Sequence, residues 1–112
     1  MMTEVEIYRD SDGKICEFRS KAQASDDEVA KAPVTVASSA LIRAAALGLR
    51  EYLKLNASIE QDHEGLHCKI ERDYFLNRET DAILETMFLG LQSLAEENPQ
   101  ELEIKELAAI VK

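Results

Sequence analysis

Four side chains in this sequence are suited to nucleophilic or metal chemistry: His63, His67, Cys16 and Cys68. His67 and Cys68 are neighbours, and a Cys/His pair activates a thiolate. In a strand, however, adjacent side chains point to opposite faces. Cys68 therefore reads as a small core residue and His67 as a surface one. Cys16 falls on the inward side of its own strand and reads the same way as Cys68. His63 lies in a turn and is solvated. The four show neither C-x2-C nor H-x3-H spacing, so they predict no zinc site, and no cofactor is expected. Asp26-Asp27-Glu28 is a solvated loop cluster. Four glycines, two of them in turns, leave none for a phosphate-cradling loop. Ser38 and Ser39 fall in the first turns of a helix with no His near in sequence, where Ser caps or packs. Thr35 stands just before that helix, an N-cap position.

The helix is the longest apolar feature, reading from about Val36 to Lys54. Val36, Ala37, Ala40, Leu41, Ile42, Ala44, Ala45, Leu47, Leu49, Tyr52 and Leu53 cover most of its circumference. Only Arg43, Arg50 and Lys54 mark a thin wet line. Such a helix is expected to be buried nearly all round. A polar loop from Lys21 to Pro33 leads into it, and loops of that length often carry function.

The remaining elements follow in order. Thr3 to Arg9 alternates, with Val5 and Ile7 on one face. Asp10-Ser11-Asp12-Gly13 suits a type I turn closed by a left-handed Gly. Lys14 to Ser20 returns, with Cys16 and Phe18 sharing a face. After the helix, Asn56 to Gln61 and Leu66 to Arg72 form a second hairpin around Asp62-His63-Glu64-Gly65. Leu66, Cys68 and Ile70 take its inner face. Asp73 to Glu79 is a connector. From Thr80 to Glu97, residues Ile83, Leu84, Met87, Phe88, Leu91, Leu94 and Ala95 keep helical spacing, with Asn77 or Thr80 as the N-cap. Asn98-Pro99 ends that helix. Glu101 to Glu106 alternates around Leu102 and Ile104 as a short edge strand would; a frayed helical end fits nearly as well.

The order β-β-α-β-β-α predicts a two-layer α+β domain: an antiparallel sheet from two β-hairpins, with two helices on one face and a short C-terminal strand. The 112 residues are expected to form one domain spanning 1–112. The net charge of −9 excludes a nucleic-acid backbone as partner and permits a basic peptide. Met1 to Arg9 lacks the apolar core of a signal peptide, and no run is long and apolar enough for a membrane helix. The two cysteines do not make a disulfide framework. A cytoplasmic protein is expected.

Several stretches, in order, resemble one family. Ile7-Tyr8-Arg9-Asp10-Ser11-Asp12-Gly13-Lys14-Ile15 is similar to the opening hairpin of the ribosomal-processing cysteine proteases, the small bacterial Prp proteins. Phe18 opens what resembles the stretch before their Gly-His-Ala motif. Ser39-Ala40-Leu41 and Gly48-Leu49 resemble the helix after their Val-Cys-Ala-Ala-x-Ser motif. Leu84-Glu85-Thr86, Leu89-Gly90-Leu91 and Leu94-Ala95-Glu96 resemble their last helix. The resemblance implies an α+β homodimer whose His and Cys form a dyad. That dyad cleaves the N-terminal extension of a large-subunit ribosomal protein.

Carried over residue by residue, the family's motifs land on altered chemistry. Gly-His-Ala falls on Ala22-Gln23-Ala24, and the Cys motif on Val34-Thr35-Val36-Ala37-Ser38-Ser39. The base position is thus Gln23 and the nucleophile position Thr35. An acidic residue common before the Cys falls at Ala32. An amide is neither acid nor base in the useful range, and an internal Thr hydroxyl attacks only with a base beside it. Losing such groups costs on the order of 10⁶ in rate. The resemblance therefore implies a non-catalytic relative that keeps a peptide groove at Ala22, Gln23, Thr35 and Ser39. Its expected partners are a second copy and a basic peptide or ribosomal-protein segment. The other reading is an active peptidase with a relocated or residual site.

Overall fold

The computed structural model describes residues 3–22, 33–61, 65–71 and 78–109. The chain runs β1 (Thr3–Arg9), β2 (Ile15–Ala22), α1 (Pro33–Leu47), a π-helical turn (Gly48–Tyr52), β3 (Ala57–Gln61), β4 (Leu66–Ile70), α2 (Arg78–Glu97) and β5 (Leu102–Ala108). The strands form one sheet in the order β3-β4-β2-β1-β5. Both hairpins are antiparallel, and β2 pairs antiparallel with β4. The C-terminal segment is a strand that pairs parallel with β1 from Thr3↔Leu102 to Arg9↔Ala108, so the sheet is mixed. Each helix links two strands of the same direction: α1 joins β2 to β3, and α2 joins β4 to β5.

The first hairpin turn is built as its sequence demands. Asp10 Oδ1 accepts from the backbone N–H groups of Asp12 and Lys14 at 2.9 and 3.0 Å. Gly13 sits at φ 78° and donates its N–H to the Asp10 carbonyl. The register shifts between Tyr8 and Arg9. A bulge of this kind sets two residues against one and changes which side chain faces the core. Ile15 is fully buried as a result, and Cys16, expected on the inner face, is only half-buried. The turn at 62–64 and the connector at 72–77 lie outside the described residues, as do Gln23 and Ala32.

The core lies between the sheet and both helices. Val5, Ile7, Ile15, Phe18, Leu66, Cys68, Ile70 and Leu102 meet Ile42, Leu49, Leu84, Met87, Phe88 and Leu91. Each large side chain so buried contributes roughly 1.5–3 kcal/mol. α1 begins at Pro33, three residues before its apolar periodicity becomes clear, because Pro is preorganised for a first helical position. Thr35 is therefore the third helical residue rather than the N-cap. Thr80, the third residue of α2, likewise lies inside its helix rather than at the cap, and it is buried. α1 is not buried all round. Val34, Ser38, Ile42, Ala45 and Ala46 face the core, whereas Val36, Ala40, Ala44 and Leu47 face outward. The helix ends as the Leu55 N–H reaches the Leu49 carbonyl and Lys54 takes a left-handed φ of 58°.

The two hairpins are locked at Gly65. A Cβ there would lie 1.9 Å from the Ser20 carbonyl oxygen, while the Leu66 N–H donates to Ser20 Oγ at 3.2 Å. Gly65→Ala is expected to cost about 2 kcal/mol or more, because the obstacle is backbone and cannot rotate away. The urea midpoint of unfolding measures it; an unchanged midpoint would mean that β4 does not approach β2 this closely.

Candidate functional site

The N-terminus of α1 carries the residues singled out by sequence. Pro33 has no N–H to offer, so the first-turn donors without an acceptor inside the helix are those of Val34, Thr35 and Val36. The Thr35 side chain is half-buried, and its Oγ1 shares a hydrogen bond of 2.9 Å with Thr3 Oγ1. Thr3, the first residue of β1, is itself buried and donates its backbone N–H to the Glu101 carbonyl at 2.9 Å. Its strand partner is Ala22, the last residue of β2. Ser38 is buried and donates its hydroxyl to the Thr35 carbonyl at 3.1 Å, a bond Ser commonly makes within a helix. Ser39, four residues beyond Thr35, is exposed. The fold thus gathers Ala22 and Thr35 around Thr3, with Ser39 one turn along the same helix.

This arrangement holds no proton acceptor beside Thr35 among the described residues. Among the described residues the hydrogen-bond partner of the Thr35 hydroxyl is another hydroxyl, which does not take up a proton near neutral pH. Thr3 was not visible as a site residue in the sequence. Only its strand pairing with Ala22 and Leu102, long-range in both cases, brings it there.

Neither cysteine stands in for the absent nucleophile at this place. Cys68 lies on the core face of β4 opposite Phe18. Burial pushes its thiol up to about 12, the reverse of what a nucleophile needs. Cys16 points its Sγ at the Tyr8 carbonyl, 3.6 Å away, in the bulge.

The uncovered face of the sheet holds a polar cluster that the sequence did not reveal. His67 Nε2 lies 2.5 Å from Glu17 Oε2, and Arg19 approaches His67 Nδ1 at 3.5 Å. The three come from β2 and β4 and meet because Arg19 and His67 are strand partners. Both ring nitrogens of His67 face protein groups, and the contacts tie β4 to β2. Among the described residues no group of His, Cys, Asp and Glu could hold a metal ion.

The comparisons with known proteins follow the same fold. The family model of cysteine protease Prp matches residues 2–103. No curated protein matches. Among solved structures, the essential ribosomal processing protease Prp from S. aureus with a substrate peptide superposes with a TM-score of 0.81 at 21% identity, covering 94% of this chain and 99% of that one. The S. aureus protease with a covalently linked product peptide gives 0.80 at 22%, with the same coverage of 94% and 99%. SMU.848 from Streptococcus mutans gives 0.75 at 22%, covering 96% of each chain.

The Cys68 thiol carries a pH signature. Its folded pKa is raised, so the unfolded chain loses this proton first, from about pH 8.5. Stability supplied by the buried thiol is complete below that value and is lost as pH rises toward about 12, at up to about 1.4 kcal/mol per unit. Denaturation of the parent and of Cys68→Ala across this alkaline window should give curves whose separation changes with that slope. Parallel curves would show that Cys68 ionises freely in the folded protein.

Proposed function

The chain belongs to the cysteine protease Prp family, and from that premise we propose that it is a non-catalytic member that binds a peptide without cleaving it. One observation carries this reading: at the nucleophile position, the hydrogen-bond partner of Thr35 among the described residues is the Thr3 hydroxyl and not a base. The base position is Gln23, whose amide takes up no proton. The S. aureus relatives hold a substrate peptide and a linked product peptide. For this chain we place the peptide at Ala22, Gln23, Thr35 and Ser39, the positions that the resemblance of its motifs implies. There the first-turn N–H groups of α1 can receive a peptide carbonyl or carboxylate. The ligand we propose is a basic peptide or a ribosomal-protein segment, bound in the cytoplasm of a bacterial cell. Among the described residues no helix is long and apolar enough to cross a membrane.

We propose further that the protein works as a homodimer joined through α1. Val36 and Leu47 of that helix are 54% and 46% exposed, and Ala40 and Ala44 lie exposed between them. An apolar stripe of this kind marks an interface.

The enzymatic reading and the binding reading separate on restoration. The parent should leave N-terminally extended peptides intact. A variant carrying Ala22→Gly, Gln23→His and Thr35→Cys should present a thiol that iodoacetamide alkylates faster than Cys16 or Cys68. A restored thiol as inert as Cys68 would show that the groove geometry is gone. Turnover by the parent, abolished by Cys16→Ser or Cys68→Ser, would replace this reading with a relocated protease site. For assembly, sedimentation should find a dimer at tens of micromolar. Val36→Lys combined with Leu47→Lys should shift it to monomer by at least about tenfold in dissociation constant. A parent that sediments as a monomer would remove the dimer.

A further inference from the structure

A second recognition feature lies on the other helix. Between α2 and β5 runs an open cleft of about 250 Å³, lined by Phe88, Gln92, Ala95 and Glu96 of α2 and by Ile104 and Glu106 of β5. Phe88, Ala95 and Ile104 make it apolar, and Glu96 and Glu106 set carboxylates on it. An apolar trough with carboxylates suits a long cationic side chain, whose stem lies on the apolar surface while its head pairs with the acids.

The molecule already holds one such group against the same wall. The Arg9 guanidinium carbon is 4.9 Å from the centroid of the Phe88 ring. The same guanidinium pairs with Glu85 at 2.8 and 3.2 Å and with Glu106 at 3.0 Å. A guanidinium between an aromatic face and two carboxylates is thus an arrangement these elements support. Along α2, Glu85, Gln92 and Glu96 repeat at the spacing that keeps one side of a helix, so the acidic row continues past Arg9 into the cleft.

Charge points the same way. From Glu85 to Glu106 the chain carries six Glu and a single Lys, Lys105. Lys105 is committed to Glu4 at 2.8 Å on the far side of the sheet edge. The cleft therefore opens in the most negative stretch of an already acidic protein, which draws cations and repels anions.

We propose that the α2–β5 cleft is the anchor site for an arginine side chain of a basic peptide partner. The inference rests on the peptide-binding reading above and names the partner's anchoring chemistry. It places that anchor away from the first turn of α1.

The test uses a short fluorescein-labelled peptide of alternating Ala and Arg, followed by anisotropy on the full-length protein. The same peptide with citrulline for Arg serves as a neutral control. The Arg peptide should bind and the citrulline peptide should not. Glu96→Lys should weaken binding about tenfold. Ala95→Trp, which fills the cleft, should weaken it similarly, and Gln92→Trp supplies a second blocking variant if Ala95→Trp fails to fold. Glu79→Lys makes the same charge change in the first turn of α2, at the opposite end of that helix, and should alter the dissociation constant less than about twofold.

Several results would overturn the proposal. Equal weakening by Glu79→Lys and Glu96→Lys would mean diffuse attraction with no site. Absence of binding to the folded parent would mean that there is no anchor. Binding lost on Ser39→Trp but indifferent to Ala95→Trp and Gln92→Trp would put the peptide at α1, which leaves the binding reading standing without this cleft. A fall in sedimenting mass on Glu96→Lys would identify the occupant as a second copy. Conversely, cleft binding that persists when the α1 variants show no groove would sink the reading of the α1 site alone.

Discussion

The start of β1 is the point on which the rest of the architecture depends. Thr3 is buried, pairs with Ala22 of β2 on one side and Leu102 of β5 on the other, and shares its hydroxyl with Thr35 of α1. Four elements are fixed by that one residue. A buried hydroxyl left without a partner costs about 1–3 kcal/mol, so the buried Thr3 demands an answering group, and the half-buried Thr35 supplies it. The bond that satisfies the Thr35 hydroxyl also commits it.

The other end of β1 is secured by different physics. Arg9 reaches β5 through Glu106, α2 through Glu85 and the Phe88 ring, and its own turn through the Gly13 carbonyl. Its side chain is only 22% exposed, so the fork is worth more than an ordinary surface pair. Lys14 makes a third tie from this end to α2, at 2.8 Å from Asp81. β1 is thereby pinned at its first residue by shared hydroxyls and at its last by a guanidinium. β5 runs parallel along all of β1, from Thr3↔Leu102 to Arg9↔Ala108.

Local chemistry was legible in the sequence, and long-range pairing was not. Asp10 and Gly13 announced their turn because both the Asp side-chain bonds and the positive φ belong to four consecutive residues. The alternation of Leu66, Cys68 and Ile70 correctly gave the inner face of β4. The bulge at Cys16 was hidden, because one extra residue shifts a register without changing composition. Pro33 concealed the true start of α1: it reads as a loop residue, although a first helical turn accepts it. The direction of β5 is a matter of crossover, which no periodicity encodes. At the site, Ala22, Thr35 and Ser39 could be placed by resemblance, whereas Thr3 became visible only once β1 and α1 met. The Glu17–His67–Arg19 cluster was obscured for the same reason, since His67 lies 50 residues from Glu17 in sequence and only the β2–β4 register brings it to Glu17 and Arg19.

The distribution of charge sorts the surfaces by what they can recognise. Two copies of a chain with net charge −9 repel one another, so self-association must use a patch where charge is sparse. Within α1 the only charged residue is the exposed Arg43, which lies on the outward side with Val36, Ala40, Ala44 and Leu47, so that side offers a second copy apolar area and a single positive charge. The α2–β5 side is the opposite case: its apolar strip is narrow and its carboxylates are many, so a second acidic copy gains little there while a cationic chain gains both contacts. The two helices lie side by side on one sheet, yet their outer surfaces are chemically distinct. The self-association proposed for α1 and the basic ligand proposed for the α2–β5 cleft therefore call on different surfaces, and neither contact would obstruct the other.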